Sequence, residues 1–66
     1  MHDIEIDRID VRLLGVLQSH GRISNLELAE AIKLSPAQTL RRHRRLEEMG
    51  VIKGYDTRLD AQRLGL

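Results

Sequence analysis

The 66-residue sequence predicts a mostly α-helical domain, in which three helices are followed by one C-terminal β-strand. Apolar residues recur every three or four positions in three successive segments, the spacing that places them on one helical face. Each of these segments follows a residue type that caps helices. The segment beyond Gly50 is rich in strand-forming residues, and several of them share a face at period-two spacing. Hydrophobic residues make up 41% and charged residues 32% of the chain, a balance typical of one small folded domain and not of a disordered segment.

The first predicted helix spans residues 8–20. Asp7 is its predicted N-cap, because a carboxylate accepts hydrogen bonds from the free N–H groups of the first turn. Gly21 follows the helix and can adopt the left-handed conformation that ends many helices. The apolar residues of this segment share one face. They are Ile9, Leu13, Leu14 and Leu17.

The second predicted helix spans residues 25–32. Ser24 and Glu27 are three positions apart, which is the spacing of a capping box, where each side chain accepts a bond from the backbone N–H of the other residue. Its buried side is short. The residues predicted to lie there are Leu28, Ala29 and Ile32.

The third predicted helix spans residues 36–49 and ends at Gly50. Ser35 is its predicted N-cap, and Pro36 suits the first turn, where no backbone N–H is needed. Gln38 is spaced to complete a second capping box with Ser35. A rotation of about 100° per residue gives this helix one core side and one basic side. The core side holds Thr39, Leu40, His43 and Leu46.

The predicted strand spans residues 51–58, where strand formers are frequent and period-two spacing puts apolar residues on one face. The predicted domain therefore covers residues 1–59. Residues 60–66 are expected to form a linker or the start of a short helix. The face of the strand comprises Val51, Tyr55, Thr57 and Leu59. The predicted core of the domain comprises Ile9, Leu13, Leu17, Leu28, Ile32, Leu40 and Leu46.

Two capped helices joined by a turn of about three residues are typical of a helix-turn-helix, which places its second helix in the major groove of DNA. The N-terminal half of that helix reaches base edges, where Gln suits adenine, Arg suits guanine and Ala suits the thymine methyl group. The predicted base-reading residues are Ala37, Gln38, Arg41 and Arg42. The predicted phosphate contacts, which supply affinity without sequence information, are Ser24, Ser35, Arg44, Arg45 and Lys53.

The distribution of charge agrees with this interpretation, although the formal net charge is only +1. Residues 1–32 hold three basic and six acidic side chains, a charge of −3. Residues 33–66 hold eight basic and four acidic side chains, a charge of +4. The positive half contains the helix that would read DNA, so the chain is polarised in the direction that favours a nucleic acid.

Other polar residues of the third helix have structural interpretations. His43 lies on the core side, where a partly buried, hydrogen-bonded histidine is expected rather than a metal ligand. Glu47 and Glu48 point about 100° apart, so they do not form a pair of catalytic carboxylates. They are expected to pair with Arg44 and Arg45 or to reduce the positive charge of the basic side.

Composition excludes several other functions. The chain has no cysteine and three histidines, which predicts no metal site and no cofactor. Tyr55 is the only aromatic residue, so no stacking platform for single-stranded nucleic acid is expected. No nucleophile has an activating base at a suitable spacing, and an enzyme is not predicted. The N-terminus shows no apolar run, so neither a signal peptide nor a membrane anchor is expected. The alternative to a DNA-binding domain is a protein-interaction module whose basic face docks an acidic partner.

An ordered series of short motifs resembles the DNA-binding domain of the leucine-responsive regulator family, also called the Lrp/AsnC or feast/famine family. The resemblance covers nearly the whole chain. The motifs are Ile6–Asp10, Leu14, Gly21–Asn25, Glu27–Ala29, Leu34–Pro36, Arg44–Glu47, Gly50–Ile52 and Gly54–Tyr55. Two positions depart from the family pattern. Lys33 stands where a turn glycine is common, so it must accept a positive φ or adopt another turn. His43 stands where an aliphatic residue is usual.

The resemblance implies a winged-helix-like fold and a cytoplasmic, nucleoid-associated transcriptional regulator of bacteria or archaea that binds double-stranded DNA. It also implies a homodimer or higher homo-oligomer, in which the strand pairs with its two-fold mate. Members of the family usually add a C-terminal domain that binds an amino-acid effector. By this resemblance the chain is expected to stop where that domain would begin. A fragment, and a natural short form that associates with full-length regulators, both remain open.

Overall fold

The computed structural model describes residues 5–65. Parts of the predicted domain (residues 1–4) and of the predicted linker (Leu66) therefore lie outside the described residues. The helices are α1 (Arg8–Ser19), α2 (Asn25–Ile32), α3 (Pro36–Glu48) and α4 (Ala61–Leu64). The three predicted helices are confirmed, although α1 and α3 each end one residue earlier than the sequence predicts. The short α4 lies in the segment expected to be a linker or the start of a helix.

The predicted caps form at the starts of α1 and α2. The Asp7 carboxylate accepts a bond from the Asp10 N–H at 2.9 Å, and the Asp10 carboxylate accepts one from the Asp7 N–H at 3.3 Å. Ser24 and Glu27 form the same reciprocal box, with distances of 3.1 Å and 3.0 Å. In each helix, the capping box satisfies two backbone N–H groups that would otherwise lack a partner.

Only half of the capping box predicted for α3 forms. Ser35 Oγ accepts a bond from the Gln38 N–H at 3.2 Å, and Pro36 occupies the first turn. Among the described contacts, no bond returns from the Gln38 side chain to the Ser35 N–H. The Gln38 amide therefore remains on the exposed surface at the start of α3.

Helices α2 and α3 end in the same left-handed turn. Lys33 closes α2 with φ 60° and ψ 47°, so the chain accepts a positive φ at a non-glycine residue. The Leu34 N–H then bonds to Ala29 O at 3.0 Å. Gly50, with φ 80°, follows α3, and the Val51 N–H bonds to a carbonyl of the last turn of α3 at 3.1 Å. Each pattern is a Schellman motif, which satisfies carbonyls that the helix leaves unpaired.

The end predicted for α1 is wrong in its details. Gly21 has no positive φ, since the described residues with positive φ are Lys33, Gly50 and Gly65. Instead His20 ends the helix with φ −137°, and its N–H still bonds to Val16 O at 2.8 Å. The bond made by His20 satisfies the Val16 carbonyl, and the chain leaves α1 without a left-handed residue.

The core lies between α1, α2 and α3, and α2 packs against both of the other helices. Leu13, Leu28, Ile32 and Leu46 are at most 1% exposed. Leu17 is also buried, and Ile9 packs half-buried against this cluster. Transfer of each leucine or isoleucine from water stabilises the domain by about 1.5–3 kcal/mol before the entropy of ordering is subtracted.

The predicted core position of Leu40 is wrong, because this side chain is 36% exposed. Thr39 and Leu46 occupy the buried line of α3, and Leu40 lies about 100° around the helix from Thr39. The Thr39 side chain is fully buried, and its Oγ1 atom has no hydrogen-bond partner among the described residues.

The C-terminal strand predicted at residues 51–58 does not form, and residues 5–65 contain no strand. Val51 and Ile52 instead donate their N–H groups to Leu46 O at 3.1 Å and 3.3 Å, and both side chains pack on the core. The ladder bonds of a strand need a neighbouring strand, which no described segment supplies. Residues 53–60 accordingly carry no regular secondary structure.

Candidate nucleic-acid interface

Helices α2 and α3, with the intervening residues 33–35, form the predicted helix-turn-helix. A side-chain bond fixes the two helix starts to each other, because Asn25 Nδ2 donates to Pro36 O at 2.9 Å. Together with the left-handed Lys33, this bond sets the direction in which α3 leaves the turn. The turn therefore presents α3 as a rigid, exposed element on the surface of the domain.

One side of α3 forms an exposed surface, which we call the outer face: Ala37, Arg41, Arg44 and Glu48. These residues are three or four positions apart, and the buried line with Thr39 lies on the opposite side. Among residues 5–65, neither Arg41 nor Arg44 has a carboxylate within ion-pair distance. Two of the predicted DNA contacts are thus exposed cations that form no ion pair with a described acidic residue.

Arg42 and Arg45 have a different environment, in a cluster with Asp7 and Asp10 that we call the acidic clamp. Arg42 Nη1 lies 2.9 Å from the Asp7 carboxylate and 3.0 Å from Asp10 Oδ1. Arg45 Nη1 lies 3.3 Å from Asp10 Oδ2, and Arg45 Nη2 donates to Glu5 O at 2.6 Å. The Asp10 side chain is only 2% exposed. The clamp therefore ties α3 to the start of α1.

The clamp corrects the expected orientation of Arg42. The sequence placed Arg42 beside Arg41 as an outward residue, but its side chain is 28% exposed and turns toward α1. Base reading by Arg42 stays a prediction that this geometry does not favour. Arg45 is 43% exposed, and part of its guanidinium faces solvent at the edge of the outer face.

The clamp also shifts pKa values. The Asp10 N–H and then the Arg42 guanidinium lower the pKa of Asp7 below its usual 3.8. The bonds that Arg42 donates to Asp7, and then to Asp10, raise the pKa of Arg42 above its usual value. Each partner therefore favours the charged form of the other.

The remaining predicted contacts lie at the ends of helices. Ser24 and Ser35 are the exposed N-caps of α2 and α3, and each accepts a backbone bond at its hydroxyl oxygen. Their hydroxyl hydrogens can still be donated, and helix N-termini attract phosphate oxygens. Lys53 is exposed beyond the end of α3. The structure thus leaves all three groups accessible to a phosphate.

A second polar cluster joins the C-terminal segment to α3. The Tyr55 hydroxyl donates to Glu47 Oε2 at 2.6 Å and lies 2.8 Å from His43 Nε2. Because its one hydrogen goes to Glu47, its oxygen accepts a bond from the N–H of His43. Partial burial, and then the bond to Glu47, raise the pKa of Tyr55 to about 12. The interpretation of His43 as partly buried and hydrogen-bonded is confirmed, whereas Glu47 pairs with Tyr55 and not with an arginine.

The acidic clamp was not predicted, although the sequence places a carboxylate on the buried face of α1. Asp10 lies three and seven positions before Leu13 and Leu17, and so shares the buried face of α1. A carboxylate on a buried face requires a charged partner. Arg42 and Arg45, three apart on α3, are the matching pair.

The described part of the chain shows no cluster of histidine, cysteine or acidic residues that could hold a metal ion. In the same residues, no helix is long and apolar enough to cross a membrane.

Comparison with known proteins gives consistent results. A family model described as winged helix-turn-helix DNA-binding matches residues 6–53. The leucine-responsive regulatory protein of Rhizobium meliloti is 52% identical over 62 residues, which are 94% of this chain and 40% of the relative. The Bkd operon transcriptional regulator of Pseudomonas aeruginosa is 52% identical over 60 residues, covering 91% of this chain and 39% of the relative. The chain thus spans about two fifths of the length of these relatives.

Solved structures agree with the fold. A Neisseria meningitidis transcriptional regulator, crystallised with L-methionine, superposes with a TM-score of 0.87 at 38% identity, over 91% of this chain and 39% of that one. LrpC of Bacillus subtilis superposes with a TM-score of 0.85 at 40% identity, over 96% of this chain and 45% of that one.

Proposed function

The chain belongs to the winged helix-turn-helix DNA-binding family, among the leucine-responsive regulators, and from this premise we propose that it binds double-stranded DNA sequence-specifically to regulate transcription. The observation that carries the proposal is the outer face of α3. Two exposed arginines there have no acidic partner among the described residues and lie on the second helix of a helix-turn-helix. Such a helix enters the major groove, where unpaired guanidinium groups bind guanine or phosphate.

We assign the contacts by position on α3. Ala37, Gln38 and Arg41 lie in its N-terminal half and read base edges. Arg44 lies one turn further along the outer face and binds phosphate, with Arg45 at its margin. Arg42 holds α3 against α1 and does not read bases. The phosphate contacts completing the interface are Ser24, Ser35 and Lys53.

A homodimer suits this geometry, because two copies about 34 Å apart would place their α3 helices in successive major grooves. A palindromic target site follows from such two-fold symmetry. The relatives are about two and a half times as long as the matched region. We therefore propose that dimer contacts and amino-acid sensing belong to a longer form of the protein, which acts on DNA in the cytoplasm.

The test is the salt dependence of binding to a short duplex of mixed sequence, followed by fluorescence anisotropy. If Arg44, Arg45 and Lys53 each neutralise one phosphate, the logarithm of the affinity falls with the logarithm of salt at a slope of about −2 to −3. A protein that docks only acidic proteins would bind no duplex at low salt, and that result would reject the proposal.

A pair of charge-matched variants locates the interface. Arg44→Ala removes a cation from the outer face, and its salt slope should become shallower by about 0.9. Arg63→Ala removes a cation from α4, where the side chain is 88% exposed and pairs with Asp60, and it should leave the slope unchanged. Equal slopes for the two variants would show that only net charge matters and that α3 is not the reading element.

A further inference from the structure

Asp10 is the least exposed charged residue of the acidic clamp, at 2%, and its two carboxylate oxygens face different arginines. Oδ1 lies 3.0 Å from Arg42 Nη1, and Oδ2 lies 3.3 Å from Arg45 Nη1. The two arginines are three positions apart on α3, while Asp10 belongs to the first turn of α1. One carboxylate therefore holds two points along the same side of α3.

Two attachment points on one side of a helix fix its rotation about its own axis. Each residue advances that rotation by about 100°, so the side held by Asp10 determines where the other sides point. The buried Leu46 and Thr39 also restrain α3, but apolar contacts are not directional. An ion pair with hydrogen-bond geometry is directional, and a buried carboxylate that loses its partners is costly.

We propose that Asp10 is a positioning residue for DNA reading. It holds α3 at the rotation that aims Arg41 and Arg44 outward, and it withholds Arg42, and part of Arg45, from the phosphates. This inference rests on the proposed DNA-binding function. It adds that selectivity depends on a carboxylate that makes no contact with DNA.

Loss of the Asp10 charge should therefore lower the selectivity of DNA binding and raise its nonspecific affinity. Without the negative charge of Asp10, Arg42 and Arg45 can turn toward phosphates, which adds counterion release and steepens the salt dependence. At the same time the rotation of α3 is held less firmly, because only the buried Leu46 and Thr39 still restrain it, and Arg41 is aimed less accurately at the bases. A residue with only a structural role would lower stability and change neither quantity in the folded protein.

The experiment compares Asp10→Asn with Asp56→Asn. Both variants lose one negative charge, but Asp56 is an exposed residue of the segment after α3 and contacts no arginine of α3 among the described residues. Two probes are used: a short duplex of mixed sequence, and the duplex that the unmodified chain enriches from a random pool. Affinities are measured over a range of salt concentrations, at a temperature where circular dichroism shows each variant folded.

We expect Asp10→Asn to steepen the salt slope on the mixed duplex by about one unit and to reduce discrimination between the two probes about fivefold or more. Slopes and discrimination equal to those of Asp56→Asn would overturn the inference while leaving DNA binding intact. Absence of salt-dependent duplex binding by the unmodified chain would overturn both this inference and the proposed function.

Asp7→Asn keeps the test decisive if Asp10→Asn does not fold. Asparagine is as good an N-cap as aspartate, so α1 keeps its start. Only the charge that holds Arg42 at 2.9 Å is lost. A steeper slope than that of Asp56→Asn supports the clamp, and an unchanged slope in Asp7→Asn, with Asp10→Asn unfolded or unchanged, rejects it.

Discussion

Replacement of Lys33 by glycine should stabilise the domain, because this residue closes α2 in the left-handed region with φ 60° and ψ 47°. A side chain with a Cβ costs about 1–2 kcal/mol in that region. Glycine removes this cost but loses about 0.5–1 kcal/mol more backbone entropy on folding. The net gain is about 0.5–1 kcal/mol. For a domain of this size that gain raises Tm by about 2–8 °C.

The control is Lys33→Ala, which removes the same cation near the end of α2 but keeps a Cβ. The comparison of the two variants therefore isolates the backbone effect from the loss of charge. Thermal unfolding followed by circular dichroism measures both values of Tm. A glycine variant no more stable than the alanine variant would refute the argument that the turn at Lys33 is strained.

Three further predictions concern the core and the titrating groups. Leu13→Ala, at a fully buried site, should lower the free energy of unfolding by about 2–5 kcal/mol in urea titrations. Leu26→Ala, at a 69% exposed site, should change it by less than about 0.5 kcal/mol. Similar losses in the two variants would contradict the assigned core. The cap bond from the Asp10 N–H, and then the bond from Arg42, lower the pKa of Asp7 from 3.8 in the folded state. The contribution of Asp7 to stability is therefore present above about pH 4 and is lost as the pH falls further, so the urea midpoint should drop there. Asp7→Asn should flatten that drop, and an unchanged profile would contradict the contacts of Asp7 with the Asp10 N–H and Arg42. The pKa of Tyr55 is raised from 10.0 to about 12, so its contribution is present below about pH 10 and disappears toward pH 12. Absorbance titration follows Tyr55 alone, since the chain has no other tyrosine and no tryptophan, and Glu47→Gln should move the midpoint toward 10; a midpoint near 10 in the unmodified chain would contradict the bond.

Local patterns in the sequence were sufficient to predict most of the fold. The start of α1 at Asp7, the start of α2 at Ser24 and the start of α3 at Ser35 depend on residues within one turn, and a sequence shows these directly. The exposed positions of Ala37 and Arg41 followed from the same periodicity. Interactions within one turn need no knowledge of how the helices pack.

The errors arose where distant residues decide the outcome. Arg42 turns toward α1 because Asp7 and Asp10, more than thirty positions earlier, attract it. Leu40 is exposed because the packing of the three helices buries only the line of Thr39 and Leu46, and the periodicity of α3 alone does not show how wide its buried side is. The strand was predicted from residue preference alone, whereas a strand needs a partner as well. No local pattern contains that information.

The hydrogen bonds of Tyr55 attach the segment that follows α3 to α3 itself. Among the described residues, the bond that its hydroxyl donates to Glu47 and the bond that it accepts from His43 are the only side-chain hydrogen bonds between residues 53–59 and the helices. The five residues 56–60 that follow span at most about 18 Å when fully extended. The start of α4 is therefore held near Tyr55, whose hydroxyl is bonded to the helix proposed to read DNA. The Tyr55 hydroxyl thus fixes the point on α3 from which the segment leading to α4 departs.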